Sequence, residues 1–256
     1  MYMVTGLYFR SCWGSARSFG ALCLVVLANL AVITGTLSCA VESAFAQGSA
    51  AQDVTGDGQV NILAFGDSIT YGVGDGNSSG SYVESIEDSG DPRGYPLRLS
   101  SSGSWLVTNA GMPGERLIRA GIERFPDLVV GTDIDTIVFM EGSNDAVQRM
   151  EGADYRAAVQ RLINVARAEG KQMVLNTVVP PTALHSSLLP YTNLYSSIIR
   201  DLGAINDFPV ADVELKFMTA CPDLPNCTLL NIPEGLHPNT AGYDAMVEVI
   251  RAALNG

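Results

Sequence analysis

Apolar, β-branched runs of strand length alternate with longer stretches of helical periodicity, and this alternation constrains the chain more than any other feature. The runs are VNILAF (60–65), WLVTN (105–109), IDTIVFM (134–140), QMVLNTVV (172–179) and PVADV (209–213). Between them ERLIRAGIERF (115–125) repeats apolar residues at Leu117, Ile118, Ile122 and Phe125. The segment 154–170 gathers Tyr155, Ala158, Val159, Leu162 and Ala166 on one face and stops at Gly170. Helical patterns at 191–205 and 239–254, the second with Asn239 as N-cap, complete the set. Strands joined by helices of this length predict an α/β fold with a parallel sheet covered on both faces. In such sheets chemistry collects at the carboxyl ends of the strands.

The first 46 residues stand apart. Arg10 and Arg17 precede an uncharged apolar run (21–37), and Ala44 and Ala46 then supply the small-x-small pattern of a signal-peptidase site. We read 1–46 as an export signal cleaved before Gln47, 47–59 as a polar lead-in, and 60–256 as one domain. An uncleaved membrane anchor is the alternative, since the run approaches the length of a span. A lipoprotein site at Cys39 would want Leu where Thr36 stands. The whole chain carries a net charge of −12, and the leader holds two Arg and one Glu, so the remainder is more acidic still. That balance argues against nucleic-acid or anionic-membrane partners for the mature part. Of five cysteines, Cys12, Cys23 and Cys39 lie in the leader, leaving Cys221 and Cys227 in CPDLPNC. Such a pair in an exported chain reads as a local disulfide. A zinc site would want further Cys or His nearby.

Two motifs are decoys. DVTGDG (53–58) resembles the start of a calcium loop, but its twelfth position is Ala64 where a bidentate Glu is needed. GNSSG (76–80) matches a serine-elbow pattern yet lies in a Gly/Ser-rich loop, without the strand before it and helix after it that this motif requires. Ser68 is different, because it follows Gly66 and Asp67 at the end of the first strand. It is either a turn-former or a nucleophile, and a nucleophile needs a base. Of the two histidines, His185 lies in a loop, whereas His237 precedes the last helix with Glu234 three residues upstream. That spacing lets a carboxylate reach Nδ1 while Nε2 points to a hydroxyl. Donors for a developing oxyanion are offered by the turn NAGMPGE (109–115) and by Asn144 in EGSND (141–145), each directly after a strand.

The blocks GDSIT (66–70), NAGMPGE (109–115), GSND (142–145) and HPN (237–239), in that order, resemble the GDSL family, also called SGNH hydrolases. The resemblance runs from about residue 60 to the C-terminus. It implies a three-layer α/β/α, flavodoxin-like domain with a five-stranded parallel sheet, and esterase, lipase or thioesterase activity without metal or cofactor. It also implies Ser68 as nucleophile, His237 as base, and Ser68 N–H, Gly114 N–H and the Asn144 amide as the oxyanion hole. One position departs: the family's last block usually reads Asp-x-x-His, and here the acid is Glu234. Either the longer side chain orients His237, or it points away and a backbone carbonyl holds the ring.

The expected protein is therefore a secreted or periplasmic serine ester hydrolase acting on a small-molecule or carbohydrate ester. The long polar loop 73–94 is expected at the pocket wall, and the lack of an apolar lid segment favours short acyl chains or acetylated sugars. A non-catalytic carbohydrate- or lipid-binding relative and an acyltransferase are the alternatives.

Overall fold

The computed structural model describes residues 50–76, 94–101 and 104–256. The expected signal 1–46, nearly all of GNSSG and most of the loop 73–94 lie outside the described residues. Five parallel strands form one sheet in the order β2-β1-β3-β4-β5. They are β1 (Asn61–Gly66), β2 (Leu106–Gly111), β3 (Thr136–Met140), β4 (Gln172–Asn176) and β5 (Val210–Ala211).

Side chains leave a strand alternately to opposite faces, and the core divides accordingly. Leu63, Phe65, Ile137, Phe139, Met173 and Leu175 face one layer of helices: α3 (Ile122–Val129), α5 (Gly152–Ala168) and α6 (Leu189–Asn206). Ile62, Ala64, Val138, Met140 and Val174 face the other: α2 (Gly94–Ser100), α7 (Val213–Ala220) and α8 (Thr240–Asn255). Two short helices, α1 (Ser68–Tyr71) and α4 (Ser143–Val147), lead away from the ends of β1 and β3. This is the expected three-layer α/β/α architecture. Among the described residues no helix is long and apolar enough to cross a membrane.

Several boundaries differ from the sequence reading. The run 209–213 contributes only two strand residues, because Asp212 caps α7 by accepting from Leu215 N–H at 3.1 Å. That capping turns the chain into a helix the periodicity did not reveal. The segment 115–125 begins as a π-helical turn over Leu117–Gly121 and only then becomes α3. Strand β4 stops at Asn176, short of the expected 179. In the lead-in, DVTGDG is a turn: Asp53 accepts from the N–H groups of Gly56 and Gly58. Cys221 and Cys227 form a disulfide with Cα atoms 5.0 Å apart.

In register, Gly66 lies level with Gly111 of β2 and with Met140 of β3. A Cβ on Gly66 would fall 2.0 Å from Thr70 Oγ1 and 2.2 Å from the Met140 carbonyl oxygen. One obstacle is backbone, so relaxation is blocked. Overpacking of this kind costs about 1–3 kcal/mol, and Gly66→Ala is expected to lower the unfolding free energy by about 3 kcal/mol in urea denaturation. An unchanged midpoint would contradict the close approach.

Candidate active site

The turn that carries Ser68 is built from the constraint at Gly66. Asp67 caps α1, its Oδ1 accepting from Ile69 N–H at 2.9 Å. Ser68 opens that helix, so its own N–H has no partner within it. Thr70 Oγ1 lies 3.0 Å from the hydroxyl of the buried Tyr95, which pins the turn to α2.

The second half of the site comes from the loop before α8. Ser68 Oγ lies 2.9 Å from His237 Nε2, across 169 residues of chain. His237 Nδ1 lies 2.8 Å from Glu234 Oε1. A carboxylate only accepts, so Nδ1 carries the hydrogen and Nε2 is left to accept from the Ser68 hydroxyl. Glu234 Oε2 meanwhile accepts from the N–H groups of Leu236 and His237, both at 2.9 Å. The longer side chain thus folds back over its own turn, one oxygen on the main chain and the other on the ring. Of the two arrangements left open by the sequence, the structure has Glu234 on the imidazole. Burial works against ionisation of Glu234, but the hydrogen bond and charge of His237 outweigh it and hold the carboxyl below its ordinary range.

Gly114 follows β2 in a turn with φ 78°, a left-handed conformation that glycine adopts freely, and it is exposed with open space around its Cα. Asn144 follows β3 on α4 and is half-buried, its Nδ2 3.5 Å from Asp67 Oδ2. Ser68, Gly114 and Asn144 therefore leave the ends of three adjacent strands.

Beneath them lies a group of buried acids that the sequence reading did not single out: Asp67, Glu115, Glu141 and Asp145, each 4% exposed or less. Glu115 is paired with Arg124. Among the described residues no hydrogen-bond donor reaches either carboxyl oxygen of Glu141. Burial first, then the charges of Asp67, Glu115 and Asp145, push Glu141 well above the ordinary carboxyl range. Burial likewise raises Asp67 to about 6, against the pull of Ile69 N–H and the His237 charge. The other histidine, His185, which the sequence places only in a loop, has its Nδ1 2.8 Å from the Glu234 carbonyl oxygen. No local spacing could have signalled that contact, since the two residues are 49 apart.

A profile of the GDSL-like lipase/acylhydrolase family matches residues 64–245. The fold is similar to that of Axe2, an acetylxylan esterase from Geobacillus stearothermophilus, with a TM-score of 0.61 at 17% identity, covering 76% of this chain and 94% of that one. It is also similar to a lipase/acylhydrolase from Enterococcus faecalis, with a TM-score of 0.57 at 23% identity over 75% and 93% of the two chains. A member of the lipolytic G-D-S-L family from Veillonella parvula gives 0.60 at 18% identity over 75% and 97%. At these identities the likeness establishes the fold. No curated protein matches the chain in direct sequence comparison.

The buried Asp67 has a testable consequence. Its folded-state pKa is raised, so ionising it is harder in the folded chain than in the unfolded one. Its penalty is absent below the ordinary carboxyl pKa, grows as pH rises, and is complete above about 6. Asp67→Asn keeps an acceptor for Ile69 N–H and removes the charge. The stability of this variant relative to wild type is expected to rise by about 2.5 kcal/mol between pH 4 and pH 8, measured by denaturation at each pH. A difference that does not change with pH would show that Asp67 is not the group titrating.

Proposed function

Since the chain belongs to the GDSL-like lipase/acylhydrolase family and is an ester hydrolase, we propose that it is an exported enzyme cleaving short acyl esters through an acyl-enzyme on Ser68. The contact of Ser68 Oγ with His237 Nε2 at 2.9 Å, backed by Glu234 on Nδ1, carries this reading. His237 takes the Ser68 proton as Oγ attacks the acyl carbon. The N–H groups of Ser68 and Gly114 and the Asn144 side-chain amide receive the oxyanion of the tetrahedral intermediate. His237 then gives its proton to the leaving alcohol oxygen, and the C–O bond of the ester breaks. Water, deprotonated by the same ring, attacks the acyl-enzyme, and Ser68 regains its proton as the acid departs. Glu234 holds the ring in the working tautomer and offsets its positive charge.

The polar, Gly/Ser-rich stretch 73–94 next to Ser68 and the lack of an apolar lid segment in the sequence favour short acyl groups. The likeness to an acetylxylan esterase makes acetylated carbohydrate the first polymer to test.

Hydrolysis of p-nitrophenyl acetate is expected to fall by about 10³-fold or more in kcat/KM for Ser68→Ala, and by about 10²- to 10⁴-fold for Glu234→Ala. In a chain-length series the acetate should be cleaved faster than octanoate and longer esters, with acetate also released from acetylated xylan. Equal turnover by Ser68→Ala would sink the mechanism. A preference for long chains would sink only the substrate assignment.

A further inference from the structure

We propose that His185 is a positioning residue for this hydrolysis, acting on the reaction through Glu234. The inference rests on the esterase reading above and concerns how the unusual acid of that site is held.

The acid-bearing loop is gripped from outside by the segment that follows β4. Three successive carbonyl groups of the loop are each bound by that segment. Leu184 N–H donates to the Pro233 oxygen at 3.3 Å, His185 Nδ1 to the Glu234 oxygen at 2.8 Å, and Thr182 N–H to the Gly235 oxygen at 2.7 Å. The two chains are also in close contact. A Cβ on Gly235 would fall 2.3 Å from the Thr182 carbonyl oxygen. Ala183 holds a left-handed φ of 45°, a conformation that L side chains avoid and that persists only where surrounding structure enforces it. His185 supplies the one side-chain bond of the three, and it lands on the peptide of Glu234 itself.

The chemistry of that bond is fixed by its acceptor. A carbonyl oxygen cannot donate, so Nδ1 of His185 carries a hydrogen whether the ring is neutral or protonated. The same nitrogen is 3.8 Å from Glu234 Oε1, too far for a hydrogen bond. His185 therefore holds the backbone of the acid and leaves both carboxyl oxygens to His237 and its turn. Glu has one more rotatable bond than Asp, and so more ways to miss the imidazole. Anchoring its peptide removes part of that freedom. With the His185 side chain 34% exposed against 11% for Glu234, its replacement opens no core cavity.

The test is a double-mutant cycle on p-nitrophenyl acetate. His185→Ala is expected to lower kcat by about 10-fold with KM unchanged and with little change in thermal midpoint. His185→Asn, whose amide nitrogen stands where Nδ1 stood, is expected to recover kcat to within about 3-fold of wild type. In a Glu234→Ala background, His185→Ala should change kcat by less than 2-fold, because the residue through which it acts is gone. Wild-type kcat in His185→Ala would overturn the proposal. So would a rise in KM alone, which would mean contact with substrate, or the same loss in both backgrounds. Ser68→Ala serves as the separate control. If it remains active, the esterase site itself is misassigned; if it is dead while His185→Ala is unaffected, only the positioning role fails.

Discussion

Strand β1 is hydrogen-bonded in parallel register to β2 on one side and β3 on the other, so Gly66, Gly111 and Met140 reach the edge of the sheet at one level. After β1 the chain travels to β2 on one side, and after β2 it returns across the sheet to β3 on the other. The connections part at this point and leave a crevice above β1 and β3. Ser68 follows the first of these strands and Asn144 the second. The turns at this edge lie close to the sheet. Gly66 and Gly111 make that possible, a Cβ on the latter falling 2.1 Å from Tyr71 N. Sheet register thus sets where the hydroxyl and the amide stand before any side-chain chemistry begins.

Beneath this edge the structure concentrates acidic groups. Asp67, Glu115, Glu141 and Asp145 are buried together, and the Asp67 charge interacts with His237. Negative charge there disfavours the ionised form of each neighbouring carboxyl. Elevation of Glu141 well above the ordinary carboxyl range moderates the conflict, since a neutral acid adds no field. Arg124 relieves it further by pairing with Glu115 and lying 4.4 Å from the Phe65 ring centroid.

How much of this was readable from the sequence follows from how local each signal is. The strand-helix alternation and the blocks holding Ser68, Gly114, Asn144 and His237 are local, and the sheet and the Ser68–His237 contact appear where those blocks lie. The helix α7 was hidden because Val210, Ala211 and Val213 read as strand, and only the Asp212 side chain turning onto Leu215 N–H decides otherwise. The π-helical start of the 115–125 segment was hidden because Asp145, some 28 residues away, accepts from Leu117 N–H at 3.0 Å. The buried acids were invisible for a similar reason. Glu115 closes the block after β2 and Glu141 opens the one after β3, and nothing in either block shows that the two meet.

The loop carrying His237 makes the same distinction from the opposite direction. Its motif is a few residues long, but its position is set by segments that carry no motif at all. Asn231 N–H donates to the His237 carbonyl at 3.0 Å, Asn239 N–H to that of Leu229 at 3.0 Å, and Asn239 Nδ2 to that of Thr228 at 2.9 Å. These partners begin directly after Cys227, so the disulfide closes the loop at the point from which His237 is suspended. Asn231 Nδ2 also reaches the Gly74 carbonyl at 3.2 Å, tying the His237 loop to the chain that leaves Ser68. A hydroxyl and an imidazole 169 residues apart stay 2.9 Å from each other because that amide, the strapped loop and the strand-end turn are bonded into one piece. The same residues on a chain without those bonds would keep the motif and lose the contact.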